Sequence, residues 1–320
     1  MPEPESPPVE LPSLTPVSTL QPVDLVAAEG GAPLEGRAAR RGRLGVFGSL
    51  AIAWLGFVIL IALTAPLLPL DDPDKSFVSI VGQPPGTDGH VLGGDALGRD
   101  LLSRMVWGSR ASLLLGVGSV LIGLVLGGLL GLIAGYFRGK ADTVFTGGFD
   151  VMLSFPQLIL ALTLVTVFAS GEGITSTRRM VVLVLALGVV SIPVLGRITR
   201  ANALAWSQRE FVLAARAMGA RHRQIMFGEV LPNVLPAMFS IALLGVAVVI
   251  VAEGGLSVLG VGVKTPTPSW GNILAEGRAD LRDSPHIVLI PTVVIFLTVL
   301  SLNYLGDIVR ARFDVRESAL

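Results

Sequence analysis

The chain has 320 residues, of which 52% are hydrophobic and only 15% charged, against about 25% charged in an ordinary soluble domain. A formal net charge of zero points away from a nucleic-acid partner. The absence of cysteine excludes structural disulfides and thiolate metal sites, and His90, His222 and His286 lie too far apart in sequence to show metal-ligand spacing.

Residues 1–43 open with a stretch rich in Pro, Glu, Ser and Thr and are expected to be a disordered tail. No basic segment precedes an early apolar core there, so no secretory signal peptide is expected. Arg37, Arg40, Arg41 and Arg43 abut the first long apolar run, 44–68. A membrane span needs about 20 mostly apolar residues, and this run reaches that length. Residues 69–110 hold Asp71, Asp72, Asp74, Pro84 and Pro85 and are expected outside the bilayer. Within them, Asp95–Arg104 reads as a wet surface for another chain. A core at 111–310 follows, with apolar runs at 111–136, 144–168, 180–195, 237–261 and 287–309. A polar helical segment, 197–235, separates the fourth and fifth spans. In the loop 262–286, the stretch Pro266–Trp270 reads as an external hairpin with Trp270 at the membrane interface. A short tail, 311–320, ends the chain.

Backbone in lipid must satisfy its own hydrogen bonds, so apolar runs of this length are helices and the fold class is an all-α integral membrane protein with six transmembrane helices. Six spans put both termini on one side. Most of the 24 lysines and arginines fall in segments that are cytoplasmic if the N-terminus is, so both termini are expected in the cytoplasm by the positive-inside rule. Gly123, Gly127 and Gly131 recur every four residues in the second span. That spacing permits close helix packing; general tolerance of glycine in membrane helices accounts for it equally well.

The segment Glu210–Pro236, EFVLAARAMGARHRQIMFGEVLPNVLP, lies on the expected cytoplasmic side. Phe211, Ala214, Ala215 and Met218 share one helical face, and Arg209 and Arg216 lie on another. Gly219 reads as a left-handed cap. A second short helix is expected from Arg221 to Val230, stopped by Pro232. Small alanines on an apolar face let another protein approach closely, although an ordinary amphipathic loop has the same pattern.

This segment resembles the cytoplasmic coupling loop of bacterial ABC importer permeases, whose pattern is Glu-Ala-Ala, three residues, Gly, nine residues, Ile, one residue, Leu-Pro. Ala214, Ala215, Gly219, Leu231 and Pro232 stand at the required spacings. Leu213 stands where the Glu is usual and Glu229 where the Ile is usual. Three further stretches, Leu92–Gly116, Ala134–Leu162 and Glu253–Gly277, resemble the dipeptide, oligopeptide and nickel permeases of the C-subunit type. The resemblance covers about 44–310, in order. It implies the type I ABC importer transmembrane-domain fold and a multi-pass location in the bacterial plasma (inner) membrane. It also implies a heterodimer with a homologous sister permease, two ATP-binding cassette domains that hold ATP and Mg, and an extracytoplasmic substrate-binding protein. Phe211, Ala214, Ala215, Arg216, Met218, Gly219, Leu231 and Pro232 would form the ATPase-coupling loop. The implied cargo is a dipeptide or oligopeptide, with nickel chelates or another small solute as alternatives.

No phosphate-binding GxxxxGK[ST] loop is present. The nearest approach, Gly135–Lys140, is one residue short, and Ala141 stands where the hydroxyl belongs. The chain is therefore expected to bind no cofactor and to carry no catalytic motif. Glu253, flanked by apolar residues and Gly254–Gly255, is the clearest acid within a span. It either lines the pathway or gate, or makes a structural hydrogen bond to a nearby loop. An ion-coupled secondary transporter using Glu253 is the alternative from a different class.

Overall fold

The computed structural model describes residues 45–169 and 175–314. The expected disordered tail, 1–43, lies outside the described residues, as do residues 315–320 of the C-terminal tail. Among the described residues the structure is helical, with two isolated β-bridges, Ser76–Arg99 and Gly94–Asp100, and no strand. The principal helices are α1 (Val46–Thr64), α2 (Leu101–Ile122), α3 (Gly128–Phe137), α4 (Gly139–Leu153), α5 (Gln157–Phe168), α6 (Ser176–Trp206), α7 (Glu210–Ala217), α8 (His222–Gln224), α9 (Leu231–Val258), α10 (Trp270–Gly277) and α11 (His286–Asp314). A π-helical stretch, Gly123–Gly127, joins α2 to α3, and another, Ile225–Val230, joins α8 to α9. Five continuous helical runs are long and apolar enough to cross a membrane, and α4 with α5 makes a sixth span if the bent pair counts as one.

The helices define two ends. The turn at Arg138 and residues 207–221 meet at one, the proximal end, where the Tyr136 hydroxyl and His222 Nδ1 are hydrogen-bonded at 3.0 Å. Residues 65–100 and 259–285 meet at the other, the distal end, where Ser284 Oγ donates to the Gly82 carbonyl at 2.6 Å. The 31 residues of α6 extend about 46 Å at 1.5 Å per residue, more than the roughly 30 Å of bilayer hydrocarbon. Its polar last turns therefore project beyond the apolar layer at the proximal end.

The glycine repeat of the second span is a packing face. A Cβ on Gly127 would stand 2.3 Å from the Ile192 carbonyl oxygen, one on Gly131 2.2 Å from that of Gly196, and one on Gly135 2.5 Å from that of Arg200. Four-residue steps on α2–α3 thus meet four-residue steps on α6, backbone against backbone. Trp54 Nε1 donates to Thr298 Oγ1 and ties α1 to α11; Ser240 Oγ donates to the Gly306 carbonyl and ties α9 to α11. A large apolar core, with Leu101, Leu115, Leu183, Ile250 and Leu256 at its centre, fills the bundle, and a smaller one around Val212, Ile225 and Val230 lies at the proximal end.

Several expected boundaries shift. The second span begins at Leu101 rather than 111 because Asp100 caps it, its carboxylate accepting from Ser103 N at 2.7 Å. The third span is not continuous over 144–168: α4 and α5 bend by 84° around Pro156, which removes a backbone donor and disfavours helix at the residue before it. The fourth span runs to Trp206, absorbing residues expected in the polar segment. Pro232 does not stop a short helix. The helical run continues from the π stretch, Ile225–Val230, straight into α9, with Pro232 just after the change from π to α geometry.

Candidate functional site

The proximal end is built on α7. Val212 is completely buried and seats the helix on the smaller core, whereas Phe211, Leu213, Ala214 and Met218 face outward, Met218 at 82% exposure. Ala215 turns partly inward, so the expected face of Phe211, Ala214, Ala215 and Met218 is split, and the inward anchor Val212 is a residue the pattern did not single out. The chain leaves α7 through a Schellman turn. Gly219 has φ +81°, its N–H donates to the Arg216 carbonyl at 2.9 Å, and the Ala220 N–H donates to the Ala215 carbonyl at 3.0 Å. A Cβ on Gly219 meets nothing within 4 Å. Glycine is required there by the backbone conformation, not by packing within the chain.

Aromatic and basic groups pin this helix from both sides. Arg209 lies 5.3 Å over the Trp206 ring, and Arg216 lies 5.3 Å over Tyr136, the ring whose hydroxyl pairs with His222. Beside them a cleft of about 450 Å³ is lined by Tyr136, Arg138, Ser207, Leu213, Arg216 and His222. Leu213, at the position where the family has Glu, offers this cleft a half-exposed apolar side chain instead of a carboxylate. Of the remaining expected residues, Leu231 is half-buried beside the smaller core and Pro232 is exposed on the first turn of α9.

Two ion pairs bind α4 to α6 just above this end. Arg200 makes a bidentate pair with Asp142, one arm at 2.6 Å, and Thr146 Oγ1 also donates to Asp142. Arg197 donates from Nη2 to Asp150 Oδ1. Between the pairs, the Phe149 ring fills the space over Gly196, where a Cβ would come within 2.4 Å of Cζ. Asp150 thus has its partner 47 residues away in the chain.

A groove of about 630 Å³ opens on one side of the bundle, between α2, α5, α6 and α9. Leu158, Val190, Val194, Val248 and Ala252 make it apolar, and only Gln157 and Ser191 bring polar side chains. Glu253 is not on its wall. Its side chain is 1% exposed and forms a hub toward the distal helix α10. Oε1 accepts from Ser257 Oγ and Ser269 Oγ, both at 2.8 Å. Oε2 presses on Gly271, where a Cβ would stand 2.4 Å away. Ser269 and Asn272 form a reciprocal capping box at the start of α10. Trp270 donates from its backbone N–H to Ser112 Oγ at 3.0 Å and from Nε1 to the Met105 carbonyl at 3.1 Å. Trp270 is thus a core residue, not an interfacial one: a turn at 265–266 leads into α10, which begins at Trp270 and packs against α2.

The stretch Asp95–Arg104 is also not the wet surface that its charges suggest. Asp95 Oδ2 accepts from Arg99 Nε at 2.6 Å and lies 3.3 Å from Arg104 Nε. Glu276 of α10 joins Arg99 at 2.6 Å and Arg104 at 3.3 Å. Arg104 is wholly buried.

Residues 127–318, more than half of the chain, match the family described as binding-protein-dependent transport system inner membrane component. The chain is similar to the glutathione transport system permease protein of Pectobacterium atrosepticum, 39% identical over 225 residues, 70% of this chain and 72% of that protein. It is also similar to the di/tripeptide transport system permease protein of Pseudomonas aeruginosa, 38% identical over 272 residues, 82% and 87% of the two chains. Among solved structures, the MetNI methionine ABC transporter in an inward-facing conformation superposes with a TM-score of 0.53 at 22% identity, over 66% of this chain and 97% of that one. That likeness concerns the fold alone.

Proposed function

The chain belongs to the family of binding-protein-dependent transport system inner membrane components and is a permease subunit of an ABC importer in the bacterial inner membrane; from that premise we propose that it imports short peptides, with the proximal end in the cytoplasm. The observation that carries the reading is the outward face of α7. Phe211, Leu213 and Met218 form an apolar surface on a helix whose inner side is already seated, and apolar side chains in such a cluster are stabilised when another protein covers them. In this reading an ATPase subunit covers them, and its ATP-driven closure pulls on α6 and α9, the two spans that flank the segment and wall the groove. The groove then forms one side of the path, completed by a sister permease, and the path opens and closes by rocking of helix bundles. Glu253 holds α10 at the distal end, where a binding protein delivers cargo. The relatives named for glutathione and for di- and tripeptides support a peptide cargo.

The test is to tag this chain, purify it from its native membrane in mild detergent and identify its companions. Recovery of a sister permease and ATPase subunits is the expected result. Recovery alone or as a homo-oligomer, with no ATPase after cross-linking, would overturn the reading. Cargo is tested by ATP-driven uptake of a labelled tripeptide into proteoliposomes holding the recovered complex and its binding protein; uptake of a nickel chelate without peptide would replace that assignment.

A further inference from the structure

The two ion pairs between α4 and α6 differ in how they are enclosed. Arg200–Asp142 is bidentate, supported by Thr146 and half-buried. Arg197–Asp150 is a single contact whose side chains are 48% and 53% exposed. An exposed pair held by one hydrogen bond is weak. Its position is specific. Val194 and Leu195 line the groove, and Arg197 follows Val194 by three residues, on the same face of α6 one turn nearer the proximal end. Gln157 lines the groove from the other side of the bend that begins after Asp150. Arg197 also stands 21 residues from the start of α6, about 32 Å along its axis, close to the full hydrocarbon thickness of about 30 Å. The pair therefore sits where the apolar groove gives way to water.

We propose that Asp150 and Arg197 form a polar station at the proximal mouth of the groove, where the ammonium and carboxylate of a zwitterionic peptide exchange with the pair as cargo leaves the apolar stretch. The proposal rests on the reading of the groove as one wall of the path. A zwitterion in the groove meets only Gln157 and Ser191 as polar side chains, and separated charges in such surroundings are costly. An acid and a base at the exit offer both of its charges a partner, and the weakness of the pair's own bond lets it be replaced. Asp142 and Arg200, closed on each other, have no such capacity and serve to hold α4 on α6.

The chain has no cysteine, so a single introduced thiol reports its own surroundings. The complex carrying Val194→Cys or Val248→Cys is reconstituted, and modification of this chain by a cationic and by an anionic methanethiosulfonate is timed with and without ATP. Both thiols are expected to react. In the Val194→Cys background, Arg197→Gln should raise the cationic-to-anionic rate ratio about fivefold to tenfold and Asp150→Asn should lower it by a similar factor, as removal of one nearby unit charge dictates. Arg197→Lys should restore the starting ratio, which a change of fold would not do. A ratio at Val194→Cys that neither neutralisation moves, with Val248→Cys still reactive, overturns the station and leaves the path reading intact. A Val248→Cys thiol unreactive to both reagents in every state overturns the path reading, and the station with it.

Discussion

At the distal end, Asp95, Arg99, Arg104 and Glu276 close on one another, Glu253 Oε1 takes two serine hydroxyls while Oε2 has no hydrogen-bond partner, and Trp270 spends both of its N–H groups on α2. The proximal end also pairs its polar groups within the chain, and differs in what its outermost helix shows to the outside. Tyr136, His222 and Val212 fasten α7 from within, while Phe211, Leu213 and Met218 stand in the open. The distal end closes its buried charges on its own residues, although Val78 and Val91 stand exposed on its loops; the proximal end turns the apolar side of a whole helix outward. Substitutions at the distal end should therefore act on the stability of the chain, and those at the proximal end on assembly and transport.

The largest effect on stability is expected for Arg104→Ala. It strips a wholly buried cation from a cluster with two carboxylates and leaves a cavity, costing about 3 kcal/mol or more. Thermal unfolding of the purified complex measures this, and a melting temperature equal to that of the parent would break the claim that the distal end closes on itself. Glu253→Ala comes next. It leaves the Ser257 and Ser269 hydroxyls without their common acceptor, at about 2 kcal/mol, whereas Glu253→Gln keeps Oε1 and should cost less than half as much. If Glu253→Gln abolishes uptake while unfolding and ATPase recovery stay normal, Glu253 is part of the transport path and not only of the distal scaffold.

At the proximal end the balance inverts. Gly219→Trp meets open space, so its cost is the left-handed backbone alone, about 1–2 kcal/mol. The same change places a bulky ring on the surface proposed for the ATPase, and uptake should fall at least tenfold with the chain still inserted. Normal uptake in this variant would sink the assignment of the coupling helix. Met218→Ser should be the mildest for the fold, within about 0.5 kcal/mol, since Met218 is almost fully exposed. Recovery of the ATPase with the tagged chain should nonetheless drop several-fold; undiminished recovery would move the docking surface elsewhere.

Much of this architecture is legible in one dimension. Apolar runs near 20 residues identify the spans because lipid leaves the backbone no other partner than itself. The four-residue glycine step identifies a face that needs close approach, and Gly219 followed by Ala220 marks a helix end whose Schellman turn is set by local hydrogen bonds. The spacing of Ala214, Ala215, Gly219, Leu231 and Pro232 carried the family resemblance that the comparisons bear out at the level of the family. The 84° bend had a local signal in Pro156, which an uninterrupted hydropathy reading passes over.

What tertiary structure alone decided are the partners. Asp150 and Arg197 lie 47 residues apart, Arg99 and Glu276 lie 177 apart, and no periodicity links them. Charge in a sequence suggested water at Asp95–Arg104, yet opposite charges brought together from distant segments make burial tolerable there. Trp270 likewise sits in the core because Ser112 and Met105 supply acceptors for its N–H groups. Hydropathy and local turn chemistry act through neighbours in the chain, so a sequence displays them. The pairing of polar groups depends on which helices lie side by side, and that is decided only when the glycine face of α2–α3 meets the backbone of α6.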